Sequence, residues 1–147
     1  MTDEAGGQSG TTGCVTSFPA AATVSHQYTA LSDIDLTIFG NGEPAIDYIY
    51  DDNRNIIQIN RGSNKRSFAY DHIGDDDLLK EDTLVIDGYN FTTLLGYTQE
   101  SYLDWQQLPS SRRIQFAPNG LGQPTEAREQ GGPTYASAVT YHPNGAV

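Results

Sequence analysis

The chain predicts a mainly β fold, a small antiparallel β-sandwich or barrel with one short helix and extended N- and C-terminal arms. Three observations carry that expectation. Short Ile- and Tyr-rich runs alternate with polar residues at period two, the mark of half-buried strands. Tight turn sequences separate them, and no crossover helix stands between them, which favours antiparallel pairing. Apolar residues concentrate between Val24 and Leu108, while the ends carry Gly, Ser, Thr, Pro and Gln.

The stretch from Ala45 to Asn60 is the clearest element. Two Ile/Tyr arms flank the polar residues Asp51 to Asn55, which predicts a β-hairpin with an exposed tip and with Ile46, Ile57 and Ile59 turned inward. Before it, Val24 to Leu31 is strand-like. Ile34, Leu36 and Ile38 alternate with Asp35 and Thr37, and Phe39 to Gly42 supplies the turn that ends this strand.

Beyond the hairpin, Ser67 to Tyr70 predicts a short edge strand. Gly74 to Asp82, rich in acidic residues, predicts a solvated loop or a single helical turn. Thr83 to Ile86 and Tyr89 to Thr93 form a second hairpin around Asp87-Gly88. Ser101 to Leu108 is expected to be the helix, with Ser101 as cap, Tyr102 and Trp105 on one face and Pro109 as stop.

Hydrophobic residues make up 37% of the 147, below the roughly 45–50% of an average globular chain. One core of fewer than about a hundred residues is therefore expected. The predicted layout is an extended N-terminal arm at 1–23, a β domain at 24–116 with its helix near 101–108, and an extended C-terminal arm at 117–147. In the last segment Phe116-Ala-Pro-Asn-Gly120 is echoed by Tyr141-His-Pro-Asn-Gly145, an aromatic residue before a Pro-Asn-Gly turn.

Charge narrows the partners. Nineteen acidic against eight basic residues leave a net charge of -11, which opposes binding to a phosphate backbone. Arg54, Arg61, Lys65 and Arg66 cluster within and just after the first hairpin. They read as a solvated, charge-balancing loop or as a local contact patch. Cys14 is the single cysteine, so neither an internal disulfide nor a cysteine-built zinc site is expected. His26, His72 and His142 stand too far apart for metal-ligand spacing. No apolar run approaches a membrane span, and no secretory signal is expected.

Two short strings carry chemistry by type. Ser32-Asp33-Ile34-Asp35-Leu36 places two carboxylates on one strand face, as two-metal phosphoryl transfer requires. It resembles the paired-carboxylate strand of the nucleotidyltransferase superfamily, and that resemblance implies a magnesium-dependent enzyme using Asp33 and Asp35. The resemblance covers five residues, and the Gly-Ser turn that the family places before the strand is absent. Asp51, Asn53 and Asn55 alternate as in a calcium loop, without the glycine and the closing glutamate. Asn90-Phe91-Thr92 is a glycosylation sequon without an export signal.

The function expected from these residues is a non-enzymatic structural subunit of a large symmetric assembly. The assembly envisaged is a virion, with this chain as a capsid-decorating, cement or tail-associated protein. Its partners would be other protein subunits, a major capsid or tail protein or itself, with no cofactor, nucleic acid or membrane. Val15, Phe18, Arg54, Arg61, Lys65, Arg66, Phe116, Tyr135 and Tyr141 are the contact candidates. Extracellular filament subunits or adhesin-like β binding modules, which would act at an extracellular surface, are the alternative. The enzyme ranks last.

Overall fold

The computed structural model describes residues 23–73 and 76–146. Among them there are eleven strands and no helix. The strands are β1 (Val24–Tyr28), β2 (Ile34–Phe39), β3 (Ile46–Tyr50), β4 (Ile56–Arg61), β5 (Asn64–Ile73) and β6 (Asp76–Ile86), then β7 (Tyr89–Tyr97), β8 (Leu103–Gln107), β9 (Arg113–Gln115), β10 (Ala127–Glu129) and β11 (Thr134–Ala136). The chain divides into two compact units, Met1–Lys65 and Arg66–Val147, and each is taken by itself. Within each unit sheet order follows chain order, as in a meander.

The mainly β expectation holds, and so does the first hairpin. β3 and β4 pair antiparallel through Tyr48↔Ile59 and Ile49↔Gln58, with Asp51 to Asn55 between them. Ile46, Ile57 and Ile59 are half-buried. The second hairpin is also present, and longer than expected. β6 begins at Asp76, so the acidic run read as a loop or helical turn is largely strand. β5 is longer than the short strand expected at Ser67 to Tyr70, running for ten residues.

The expected helix is absent. Leu103 to Gln107 is β8, paired with β7 and β9. The Tyr102/Trp105 spacing suggested one helical face, but Leu103, Trp105 and Gln107 also alternate at period two, and the neighbouring strands select that reading. Ser101, expected as a helix cap, instead has φ 66° and closes a hairpin loop. Residues 117–147, expected as an extended arm, carry β10 and β11 together with a Pro118–Pro124 bridge. Of the 1–23 segment, only Thr23 lies within the described residues.

One loop recurs. At Thr29, Asp51, Thr98, Leu108, Asn119, Glu129 and His142 the residue donates its N–H to the carbonyl four positions on. Its own carbonyl accepts from the N–H three positions on. This is a type I turn closed by a left-handed residue, a standard three-residue hairpin connection. The fourth residue has positive φ in the loops containing Ser32, Arg54, Ser101, Ser111, Gly122 and Gly145.

The side chains of Thr29, Asp51, Thr98 and Asn119 then accept from the backbone N–H groups two and four positions later. Such side-chain caps are why Thr, Asp and Asn open turns. In the first unit the Thr29 and Asp51 loops share one end of the strands. In the second the Thr98 and Asn119 loops do so.

A tyrosine precedes several of these loops and repeats its contact too. The hydroxyls of Tyr50, Tyr97 and Tyr141 donate to the carbonyls of Ile34 (2.7 Å), Leu79 (2.8 Å) and Pro124 (2.7 Å), at sequence separations of 16, 18 and 17. The loop therefore recurs along the chain, and the loop with a bonded tyrosine before it stands at Tyr50, Tyr97 and Tyr141.

Neither unit has a hydrophobic core among the described residues. No described hydrophobic side chain is fully buried, and Thr37, at 6% exposed, is the sole buried residue among those described. A sheet carries an apolar face that must be covered by another layer to gain its full burial energy. Within the described residues of each unit, every regular element is a strand, and none supplies that layer.

Candidate interaction surface

In the second unit the β6–β7 hairpin presents an apolar face. Leu84 lies opposite Phe91, and Ile86 opposite Tyr89. Period two puts all four on the same side, and they are 38%, 45%, 40% and 70% exposed. The Asp87-Gly88 turn, both residues at positive φ, sets this register. Cross-strand pairs of this kind normally form the inner face of a packed sheet. Here they face outward together.

A shallow depression borders the patch, lined by Arg66, Asp82, Leu84, Phe91, Thr93 and Pro109. Arg66 holds Asp82 through both carboxylate oxygens, Nε at 2.8 Å and Nη2 at 2.6 Å. This hydrogen bonding raises the guanidinium pKa above its ordinary value. The Arg66 guanidinium also lies 5.1 Å from the Phe68 ring centroid. The rim is therefore a fixed ion pair, and the floor is apolar and aromatic.

The opposite face of the same unit is polar and aromatic. Gly96, Trp105, Gln115 and Arg128 form one cross-strand row, and Gln107 and Arg113 pair in the next. The Trp105 indole lies against the bare Cα of Gly96, where a Cβ would come within 2.1 Å of the ring. The Arg113 guanidinium stacks 3.5 Å from the indole centroid.

Tyr135 and Phe116, two of the expected contact residues, also lie in this unit. Tyr135 is 52% exposed and belongs to a cluster with Arg112 and Glu129. Arg112 donates to both Glu129 oxygens (3.0 and 2.9 Å) and to the Tyr135 hydroxyl, which in turn donates to Glu129 at 2.6 Å. The Arg112 hydrogen bonds, then that from Tyr135, hold the Glu129 carboxyl down at about 2. Phe116 is half-buried, and its backbone bonds to Asp104 and Thr125. Tyr141 is half-buried and tied to Pro124. The structure therefore engages all three in bonds within their own chain.

Of the basic residues expected to form one patch, Arg54, Arg61 and Arg66 each engage a separate carboxylate. Arg54 binds Asp33 through Nε (3.0 Å) and Nη2 (2.5 Å), which pulls the Asp33 carboxyl below its ordinary value. Arg61 pairs with Glu43 and lies over the Phe39 ring. Lys65 is exposed at the end of the first unit, and Arg66 belongs to the second. Val15 and Phe18 lie outside the described residues.

Asp33, named with Asp35 for metal chemistry, has its carboxylate oxygens on Arg54. Among the described residues no group of three or more His, Cys, Asp or Glu is placed to hold a metal ion. Asp51 accepts from Asn53 and Asn55 backbone N–H groups (2.9 and 2.8 Å), so the alternation that suggested a calcium loop is here a turn cap.

Sequence reasoning missed the Leu84/Ile86/Tyr89/Phe91 face and the Trp105–Arg113 stack. The first was legible once the Asp87-Gly88 turn was recognised, since a two-residue turn fixes which residues pair. The second was hidden by the helical reading of Ser101 to Leu108. No family model matches this chain, and no curated protein matches its sequence.

Proposed function

We propose that the chain is a non-enzymatic structural module, a repeat-built β wall whose faces are covered by other protein subunits in a larger assembly. The observation that carries this reading is the repeated, individually well-bonded hairpin combined with no buried hydrophobic core among the described residues. A sheet with its turns capped and its tyrosines tied is specified in detail, yet its apolar side chains stay half exposed. Completing the sandwich with a layer from another subunit would bury them. The Leu84/Ile86/Tyr89/Phe91 face is the place for that layer, because exposed aliphatic and aromatic side chains in one contiguous cluster mark interaction surfaces. A virion is the setting we favour for such a wall, by analogy rather than on any particular residue.

The experiment is to replace Ile86 and Phe91 by Ser, singly and together, and follow assembly by sedimentation velocity over a range of concentrations. Both side chains are already partly exposed, so the hairpin should tolerate the change. Loss of association with retained β-sheet circular dichroism supports the reading. Association that survives the double substitution unchanged refutes this face as the docking surface.

A further inference from the structure

We infer that the Trp105–Arg113 stack is a binding site for carboxylates, presented by an extended acidic peptide segment of a partner. The starting observation is an imbalance of pairing. Arg54, Arg61, Arg66, Arg112 and Arg128 each hold a carboxylate of this chain. Arg113 holds none among the described residues, in a molecule where acidic residues outnumber basic ones nineteen to eight. Its Nε is the one buried side-chain polar atom without a hydrogen-bond partner among the described residues.

The stacking says what the free guanidinium is set up to do. Arginine lies flat on an aromatic ring through cation–π attraction, and its N–H donors then point outward in the guanidinium plane. Since Nε is buried, a planar carboxylate meets the outer edge and accepts two parallel hydrogen bonds from the two Nη groups. Gly96 is what allows the geometry. Any Cβ there would collide with the indole, lifting Trp105 off the sheet and tilting Arg113 with it.

The neighbouring residues suit an extended ligand. Gln107 lies beside Arg113 in the register, and Gln115 is two residues along the same strand. Arg128 donates to Gln115 Oε1 at 3.2 Å and pairs with Glu126 at 3.3 Å. Side chains of one strand face repeat every ~7 Å, as do alternate residues of an extended peptide. The acids nearest in this frame are Glu126, engaged by Arg128, and Glu81, which accepts from Thr83 Oγ1 at 3.1 Å. Glu81 sits three strands from Arg113, about 14 Å at the usual strand spacing. The overall charge of -11 opposes an acidic partner at long range, but screening confines that to about 8 Å at physiological salt.

The test uses the single tryptophan of the 147-residue chain as its reporter. Hexaglutamate is titrated against the protein while Trp105 emission is followed, with hexaglutamine and inorganic phosphate as comparison ligands. A saturable emission change is expected with hexaglutamate and not with hexaglutamine. Arg113→Gln should weaken it roughly tenfold or more, and Arg113→Lys, which keeps the charge but not the fork, should weaken it less. Arg54→Gln removes the same charge in the other unit and should leave it unchanged. No emission change with hexaglutamate overturns the assignment, as does equal loss in Arg113→Gln and Arg54→Gln. Phosphate binding as tightly as hexaglutamate would overturn the carboxylate class. Assembly through the β6–β7 face is read separately, so either idea can fail without the other.

Discussion

Gly96 and Glu129 show how much single residues decide where the described residues form no deep core. A methyl group at position 96 would meet Trp105 Cε2 and Nε1 at 2.1 Å, and both are parts of a rigid ring that cannot yield locally. Gly96→Ala is therefore expected to cost about 1–3 kcal/mol, the range for overpacking a fitted contact, and to shift Trp105 emission as the indole leaves Arg113. A melt and an emission spectrum unchanged from the parent would refute this packing.

Glu129 makes a prediction in pH. Its folded pKa, about 2, lies below the ordinary 4.5, chiefly because of the Arg112 hydrogen bonds. A depressed carboxyl contributes stability that is complete above the unfolded value and lost as pH falls toward the folded one. The β10–β11 hairpin should thus loosen between about pH 4.5 and 2. Amide NMR signals of Arg128 and Thr134 should report it. In Glu129→Gln that step should vanish from the titration; if it persists at the same midpoint, another carboxylate is responsible.

At the scale of elements, the five-residue loop is the unit of construction. Ser111 holds φ 66° with no side-chain cap at Leu108. Left-handed backbone costs a non-glycine residue ~1–2 kcal/mol, part of which glycine returns as unfolded-state entropy. Ser111→Gly should therefore be neutral or stabilising by up to about 1 kcal/mol, and Ser111→Val destabilising, in thermal melts. Asp51→Ala removes the acceptor of two backbone N–H groups and should cost about 1–2 kcal/mol. A loss no larger than that of a surface substitution, within about 0.5 kcal/mol, would mean water replaces the cap at no cost.

Element type was readable where the local pattern had a single period. Ile34 to Ile38 and Ala45 to Asn60 offer only alternation, and both are strands. Tyr102 to Leu108 fits period two and period 3.6 alike, so only the flanking strands β7 and β9 could decide. The loop repeat was harder to see, because its opening residue varies between Thr, Asp, Asn, Leu, Glu and His. The Phe116–Gly120 and Tyr141–Gly145 echo even pointed to the wrong register. Asn119 opens its loop, whereas Gly145 occupies the fourth position of the loop that His142 opens.

Over the whole molecule, composition foretold a shortage of burial, and the described strands share it. The low apolar fraction suggested a compact core with two poor tails. In the structure the shortage is shared among the described strands, with even Ile38, Ile49 and Leu84 more than a third exposed. Residues 117–147 instead build strands and capped loops, because turn-rich Pro, Gly and Asn suit a hairpin meander as well as they suit an arm. Which of the contact candidates meet a partner is not written in their residue types, since Arg, Tyr and Phe serve in-chain pairs equally well.

The measurement that tests the β wall most directly is amide hydrogen exchange on the full chain, compared between dilute monomer and concentrated or assembled protein. Backbone bonds under a covered face open only with the whole structure, and those under an uncovered face open locally. Exchange across Thr83–Ile86 and Tyr89–Thr93 should be fast in the monomer and slow sharply on association. A monomer that melts cooperatively, with a stability of about 5 kcal/mol or more and slow exchange throughout both hairpins, would contradict it. Such a chain would be complete without a partner.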